Sequence, residues 1–293
     1  MVRRKNAADA AILIILLIIA FACLLPVVNT IAVSLSEKDA AASGRVFLWP
    51  VKYTSAAYEA LTREPQFGRS FMNSVLRVAI GAPLNVALTV LTAYPLSRSK
   101  KAFPQKYAFL WFLMVALLFD GGLVPRYLLV SSLGLIDTVW SLVLPGALPV
   151  FCVIVLMNFF KGVPDSLEEA AFMDGANPYQ IMLFVFVPLA LPAIAVIALF
   201  SVVSHWNSFF DGLIYMNSSF KWPLQTYISQ LNFSVDYQRM GAMDADALAK
   251  ALKMSGVTFN SAKLVVSMAP ILLIYPFLQR YFVAGVAMGA VKE

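Results

Sequence analysis

Between Asp9 and Glu37 the chain carries no charged side chain, and the residues there read AAILIILLIIAFACLLPVVNTIAVSLS. About 20 apolar residues are what a helix needs to cross the roughly 30 Å hydrocarbon layer of a bilayer. Inside that layer the backbone must satisfy its own hydrogen bonds, so a crossing segment has to be helical. The feature recurs along the chain. Uncharged runs lie between Arg77 and Arg98, from Thr138 to Phe160, from Val187 to Phe210 and from Leu264 to Gln279. A further run opens at Tyr107, YAFLWFLMVALLFDGGLVP, and crosses if Asp120 lies at the interface. The final run is short, but Lys263 and Arg280 can snorkel outward from its ends. These runs predict an all-α integral membrane protein with six transmembrane helices. Tyr127 to Ile136 is apolar but too short to cross, and it reads as an interfacial helix.

Composition excludes the main alternatives. Sixty per cent of the residues are hydrophobic, 13% are charged and the mean hydropathy is +0.78. Soluble domains carry about a quarter charged residues, so a soluble globule is ruled out. The net charge of +6 comes from 22 Lys+Arg against 16 Asp+Glu, and the cations sit at the ends of apolar runs rather than on one polar face, so no nucleic-acid partner is expected. Cys23 and Cys152 lie inside apolar runs, which supports neither a disulfide framework nor a thiolate site. One histidine, His205, cannot build a His-rich metal centre. No G-x-x-x-x-G-K-[ST] phosphate loop is present. MVRRKN followed by an apolar run, with Ala20-Phe21-Ala22-Cys23, has the outline of a lipoprotein signal. The run continues past Cys23 through Val33 and five more follow, which favours an uncleaved first helix.

Short loops set orientation through their Lys and Arg content. Arg3, Arg4 and Lys5 precede the first run, and Arg98, Lys100, Lys101 and Lys106 crowd the connection between the second and third. Both segments are expected on the cytoplasmic side, and six crossings return the C-terminus to it (N-in, C-in). The longer segments at 34–69 and 213–262 then face outward. One inner connection departs from the rule: KGVPDSLEEAAFMDGANPYQIM has Lys161 against Asp165, Glu168, Glu169 and Asp174.

That loop carries its own local signals. Ser166-Leu167-Glu168-Glu169 fits a capping box, predicting a helix that starts there. Gly175 suits the left-handed position just past a helix end. Asn177-Pro178 supplies an N-cap and a first-turn proline for a second helix, Tyr179 to Val187, which meets Pro188. A helix of so few residues is marginal alone and must pack on something. Ala170 and Ala171 let another surface approach closely, and Glu169 and Asp174 offer charge to cationic partners. An ordinary acidic turn between two spans is the bland reading.

At these residues a family resemblance enters. Glu169-Ala170-Ala171, then Asp174-Gly175-Ala176, then Val185-Phe186-Val187-Pro188 with Pro192 in register resembles the EAA loop of ABC importer permeases, whose usual ending is Ile-x-Leu-Pro. Phe119-Asp120-Gly121-Gly122-Leu123-Val124-Pro125, Leu133-Gly134-Leu135, Trp206-Asn207-Ser208, Gly285 and Gly289-Ala290-Val291-Lys292 look like the MalG-like carbohydrate branch, particularly its importers of oligosaccharides and polysaccharides, acidic ones such as alginate included. The resemblance covers most of the chain. It implies an ABC type I importer built from two permease chains, the second expected to be a different one, two ATPase subunits and an extracytoplasmic solute-binding protein in a multi-pass assembly of the cytoplasmic membrane and its lipid. It further implies that Glu169, Ala170, Ala171, Asp174 and Gly175 form a coupling helix seated in a cleft of the ATPase, with Glu169 paired to a basic residue there. ATP-Mg and hydrolysis would belong to the ATPase chains; on this chain neither a cofactor, a metal nor a catalytic residue is expected.

Polar residues inside apolar runs are costly in lipid, so they mark protein contacts or a solute path. Asn85, Asn158, His205, Trp206 and Asn207 are the candidates for a path; helix-helix packing is the competing role. Arg77 would cost about 2.5–3.5 kcal/mol at a helix centre, and its place at the outer end of the second run reads as an interface residue or a mouth contact for an acidic polysaccharide. Pro223 to Leu231 and Asp244 to Met254 are expected as short outer helices, the latter with Gly256 after its end. The division expected is 1–69, a first helix with an outer segment, and 70–293, a permease core carrying the loop at 161–188. An ion-coupled carrier is the alternative of another class, but neither an inverted repeat nor a mid-span acid is found.

Overall fold

The computed structural model describes residues 7–63, 65–231 and 255–290, with backbone alone for 7–10 and 277–290. In chain order its helices are α1 (Ala7–Ser34), α2 (Lys38–Ala42), α3 (Ala56–Arg63), α4 (Pro65–Ser97) and α5 (Lys106–Leu118). Then come α6 (Leu123–Ser132), α7 (Val139–Val143), α8 (Val150–Lys161), α9 (Asp165–Met173) and α10 (Pro178–Ile181). The last are α11 (Val187–Leu189), α12 (Leu191–Asn207), α13 (Phe210–Tyr215), α14 (Leu224–Gln230) and α15 (Gly256–Ala290). Among the described residues extended pairing is limited to an isolated bridge, Ser36 with Tyr53. The architecture is therefore all-helical, as the apolar runs require.

Three helices are long and apolar enough to cross a membrane: α1 over Ala11–Ser34, α4, and α15 over Gly256–Pro276. Three bent pairs qualify together, so the described residues hold up to six crossings if each pair counts as one. The breaks correct three expected runs. The third run stops being helical at Leu118, because Asp120 Oδ1 accepts the Gly122 N–H at 2.9 Å and Gly122 takes φ +85°; α6 then leaves at 116° to α5. At 1.5 Å per residue α5 is only about 20 Å long. Pro145, Gly146 and Pro149 split the fourth run into α7 and α8, bent by 50°. In the fifth, an 85° bend separates Pro178–Leu189 from α12. Proline removes a backbone donor and clashes with the preceding turn, and Met182–Phe186, just before Pro188, winds as a π turn.

Two shorter elements also move from their expected places. The interfacial helix is Leu123–Ser132 rather than 127–136: Pro125 lies in its first turn, where a missing N–H costs nothing. Gly134 (φ +68°) ends it, with Gly134 N donating to the Ser131 carbonyl and Leu135 N to the Val130 carbonyl. Gly256 opens α15, where Ser255 and Thr258 cap the helix reciprocally, backbone N–H to hydroxyl, at 2.9 and 3.3 Å. The expected helix at Asp244 to Met254 lies outside the described residues, and α14 occupies the place expected for Pro223 to Leu231.

The chain divides into two compact units, one containing the described residues up to Gly68 and from Gln230 to Ala269, the other Arg69–Ser229 with Pro270 onward. In the first, Asn29 Nδ2 donates to the Val46 and Phe47 carbonyls, folding the connection back on α1, and Ala57, Leu61, Phe259 and Ala262 close a small apolar cluster. In the second, the core runs through Tyr94, Leu96, Leu156, Phe160, Ile181, Phe186 and Ile197. Much apolar surface stays outside: Ile12 to Leu24 on α1 and Trp111, Phe112 and Leu118 on α5 are exposed. Helices apolar on every side belong in lipid or against other membrane helices.

Candidate functional site

The loop from 161 to 188 is built by backbone chemistry. α9 starts at Asp165, after extended Pro164, with no side-chain cap. The expected capping box at Ser166 is therefore corrected: one residue inside the helix, Ser166 no longer occupies the flanking position from which its hydroxyl would meet the third N–H. The far end is as the glycine implied. Gly175 takes φ +79°, its N–H donates to the Phe172 carbonyl at 3.0 Å, and Ala176 N donates to the Ala171 carbonyl at 3.0 Å, a Schellman closure. Asn177 then caps the next helix, its carboxamide oxygen accepting from Gln180 N while Gln180 Oε1 accepts from Asn177 N, both at 2.9 Å.

α9 buries none of its side chains. Glu169, Ala170, Asp174 and Gly175 are exposed, and Ala171 is half-buried against the core. Beside them stand exposed apolar groups, Leu167, Phe172 and Met173, the last 88% accessible. The helix therefore offers a mixed face of acids and large apolar groups. Its neighbour Glu168 turns the other way, toward the bundle.

There it meets Arg98, a residue the sequence reading used only as loop charge. The Arg98 guanidinium donates from Nη1 to Glu168 Oε2 (2.5 Å), from Nη2 to the Phe160 carbonyl (3.3 Å) and from Nε to Ser97 Oγ (3.0 Å). It lies 4.1 Å from the centre of the Phe186 ring and 5.3 Å from that of Tyr94. Tyr94, Phe160 and Phe186 meet edge to face, centroids 5.2–6.4 Å apart. Lys106 Nζ donates to the Arg98 carbonyl at 2.5 Å. A groove of about 510 Å³ opens beside this node, lined by Arg98, Lys106, Lys161, Asp165, Glu168 and Glu169 among others.

A second arginine on α4 ties the other part of the unit. Arg77 is 3% exposed, enclosed by protein rather than open to solvent or lipid. Its Nη1 donates to Asp211 Oδ1 (3.1 Å) and to the Ser208 carbonyl (3.2 Å), its Nη2 to the Leu142 carbonyl (3.2 Å) and to Asp211 Oδ2. An ion pair with backbone acceptors offsets part of the cost of burying this cation, although its Nε has no partner. Nearby, Asp137 (φ +63°) is held by Lys221 Nζ at 2.5 Å and by the backbone N–H groups of Asn217 and Ser218. The Lys221 hydrogen bond foremost keeps the Asp137 carboxyl below the usual carboxylate range.

The polar candidates within the runs fall into two sets. Asn85, His205 and Trp206 are buried. With its carboxamide turned so that Nδ2 faces the carbonyls, Asn85 donates to Gly81 (3.0 Å) and Ala147 (3.2 Å); the His205 ring lies against Gly81, and Trp206 meets Phe71 edge to face at 5.8 Å. In this conformation their surfaces are spent on neighbouring helices. Asn158 and Asn207 are exposed, the latter directly after Trp206 at the end of α12. None of the five lines the apolar cleft of about 590 Å³ between the end of α5 and α6, where Asp120 and Arg126 pair at 2.9 Å. Among the described residues no group of three His, Cys, Asp or Glu side chains is placed to hold a metal ion.

The family described as binding-protein-dependent transport system inner membrane component matches residues 107–288. The polygalacturonan/rhamnogalacturonan transport system permease protein YtcP of Bacillus subtilis (strain 168) is 37% identical, covering 99% of this chain and 99% of its own length. Protein LplC of the same strain is 36% identical over 92% of this chain and 89% of its own. A chain from the crystal structure of a bacterial ABC transporter involved in the import of the acidic polysaccharide alginate superposes with a TM-score of 0.81 at 30% identity, covering 96% of this chain and 99% of that one.

Proposed function

The chain belongs to the binding-protein-dependent transport system inner membrane component family, and from that membership we propose that it is one of two permease subunits of an ATP-driven importer of acidic oligosaccharides or polysaccharides. The observation that carries the coupling part is α9: a short helix closed by a Schellman motif, tied inward by Glu168, and offering Glu169, Phe172 and Met173 outward. In this reading α9 seats in a cleft of a separate ATPase subunit, where Glu169 meets a basic residue and the apolar groups fill the cleft. ATP binding closes the ATPase pair, and the spans shift between two states that contact their partners differently. Hydrolysis, with its ATP-Mg, stays on the ATPase chains.

Six crossings with both termini in the cytoplasm place α9 and the connection 98–106 on the inner face, which the four cations of that connection favour. The second permease and lipid cover the exposed apolar surface of α5 and α1, and a solute-binding protein delivers the sugar from outside. Polygalacturonan, like alginate, is a polymer of sugar acids, which supports an anionic solute.

The test is a pull-down of tagged chain from detergent with its co-expressed ATPase, wild type against Glu169→Lys and Gly175→Leu. Retention by wild type and release by both variants, each still folded, is the expected result. Retention by no version, together with solute movement down an ion gradient by the purified chain alone, replaces the importer with a carrier.

A further inference from the structure

We propose that Arg98 is the positioning residue that passes movement of α9 into the transmembrane helices, an inference that rests on the coupling role assigned to α9 above. The side-chain tie that joins α9 to the bundle is Glu168, which accepts from Arg98 at 2.5 Å and also faces the Tyr94 hydroxyl of α4, on whose ring the Arg98 guanidinium rests. Apolar attachment is thin, because α9 buries no side chain and only Ala171 packs on the core. Its ends are extended Pro164 and left-handed Gly175, two places where the chain changes direction. A push on the outer face of α9 thus enters the bundle at Glu168 and is received by Arg98.

What Arg98 touches makes it a joint rather than a single tie. Its donors reach the end of α8 through the Phe160 carbonyl, and its flat face rests on Phe186, in the π turn that leads into α11 and α12. Its own backbone ends α4, and its carbonyl holds Lys106 in the first turn of α5. Only a planar fork can serve Glu168, Phe160 and Ser97 in three directions while stacking on rings; an ammonium supplies charge but neither the fork nor the face. The guanidinium is buried, so the pair is poorly screened. Lys106, Lys161, Asp165 and Glu169 line the same groove, but Lys106 is taken by the Arg98 carbonyl and Glu169 points outward.

The experiment uses the complete importer in proteoliposomes, with Cys23→Ser and a reporter thiol at exposed Ser204 of α12. Maleimide labelling of Ser204→Cys is read with and without ATP plus vanadate, beside ATPase retention and hydrolysis rate, in wild type, Arg98→Met, Arg98→Lys and Glu168→Gln. Expected is a nucleotide-dependent labelling change in wild type that falls about ten-fold in Arg98→Met, an ordinary size for a coupling between sites. Glu168→Gln and Arg98→Lys should lie between, and all variants should retain the ATPase and keep hydrolysing. An unchanged labelling response in Arg98→Met and Glu168→Gln overturns the proposal while leaving the importer reading intact. Loss of bound ATPase and of heat stability in all three variants also overturns it, making Arg98 a fold residue. A wild type that holds no ATPase and shows no nucleotide response sinks the importer reading itself.

Discussion

Two arginines, one within α4 and one just past its end, show how a cation is made tolerable inside an apolar bundle. Arg77 and Arg98 lie about 30 Å apart along α4 by the helical rise, and each is buried against a carboxylate and at least one backbone carbonyl. Removing one partner of such a pair strands the other charge, a loss of about 3–5 kcal/mol in buried sites. Asp211 is 23% accessible, so the lower end applies. Arg77→Met should therefore destabilise the purified protein by about 3 kcal/mol, with the paired Arg77→Met, Asp211→Leu variant recovering most of it. Thermal unfolding in detergent checks both, and additive losses in the double variant would mean that the pair is not coupled. Neither arginine's role was visible in the chain: Arg77 and Asp211 are 134 positions apart and Arg98 and Glu168 are 70, so no local spacing links them.

At the scale of elements, what could be read from the chain was what neighbours in sequence decide. Gly175 and the Asn177-Pro178 start are local backbone choices, and both stand where the residues implied. The box at Ser166 did not form, because Pro164 takes the N-cap position two residues before the serine. Charge-free runs predicted helix but not its continuity, since Pro145, Pro149 and Pro188 allow a bend whose size depends on what packs around it. Helix proximity is set the same way. At Gly81 of α4 an added Cβ would lie 2.5 Å from His205 Nε2 of α12, so the two helices are as close there as a missing side chain permits. Gly81→Ala should cost about 1–3 kcal/mol through overpacking, and His205→Ala in the same chain should relieve most of it. A Gly81→Ala protein with unaltered melting would show that the crossing is looser than this.

At the scale of the whole molecule, orientation in the bilayer is the property to measure. Cysteines introduced one at a time at exposed Lys101 and Met173, in a Cys23→Ser chain whose remaining Cys152 is buried, should both resist an impermeant thiol reagent applied to intact cells and react in inverted membrane vesicles stripped of the ATPase. Labelling of Met173→Cys from outside would invert the topology and remove α9 from the side where ATP is found. Local residue order was enough to fix that this chain is a membrane-embedded all-helical protein and where the loop at 161–188 turns. The reason is that hydrogen-bond satisfaction in hydrocarbon leaves a backbone few choices, and a left-handed glycine or a capped start depends on a handful of adjacent residues. Tertiary structure alone decided which carboxylate of the Glu168-Glu169 pair turns inward, which apolar runs bend, and that Asn85 and His205 pack between helices. Those outcomes depend on the approach of segments distant in the chain, where the burial of a polar group is set by the partner it meets and not by its own neighbours.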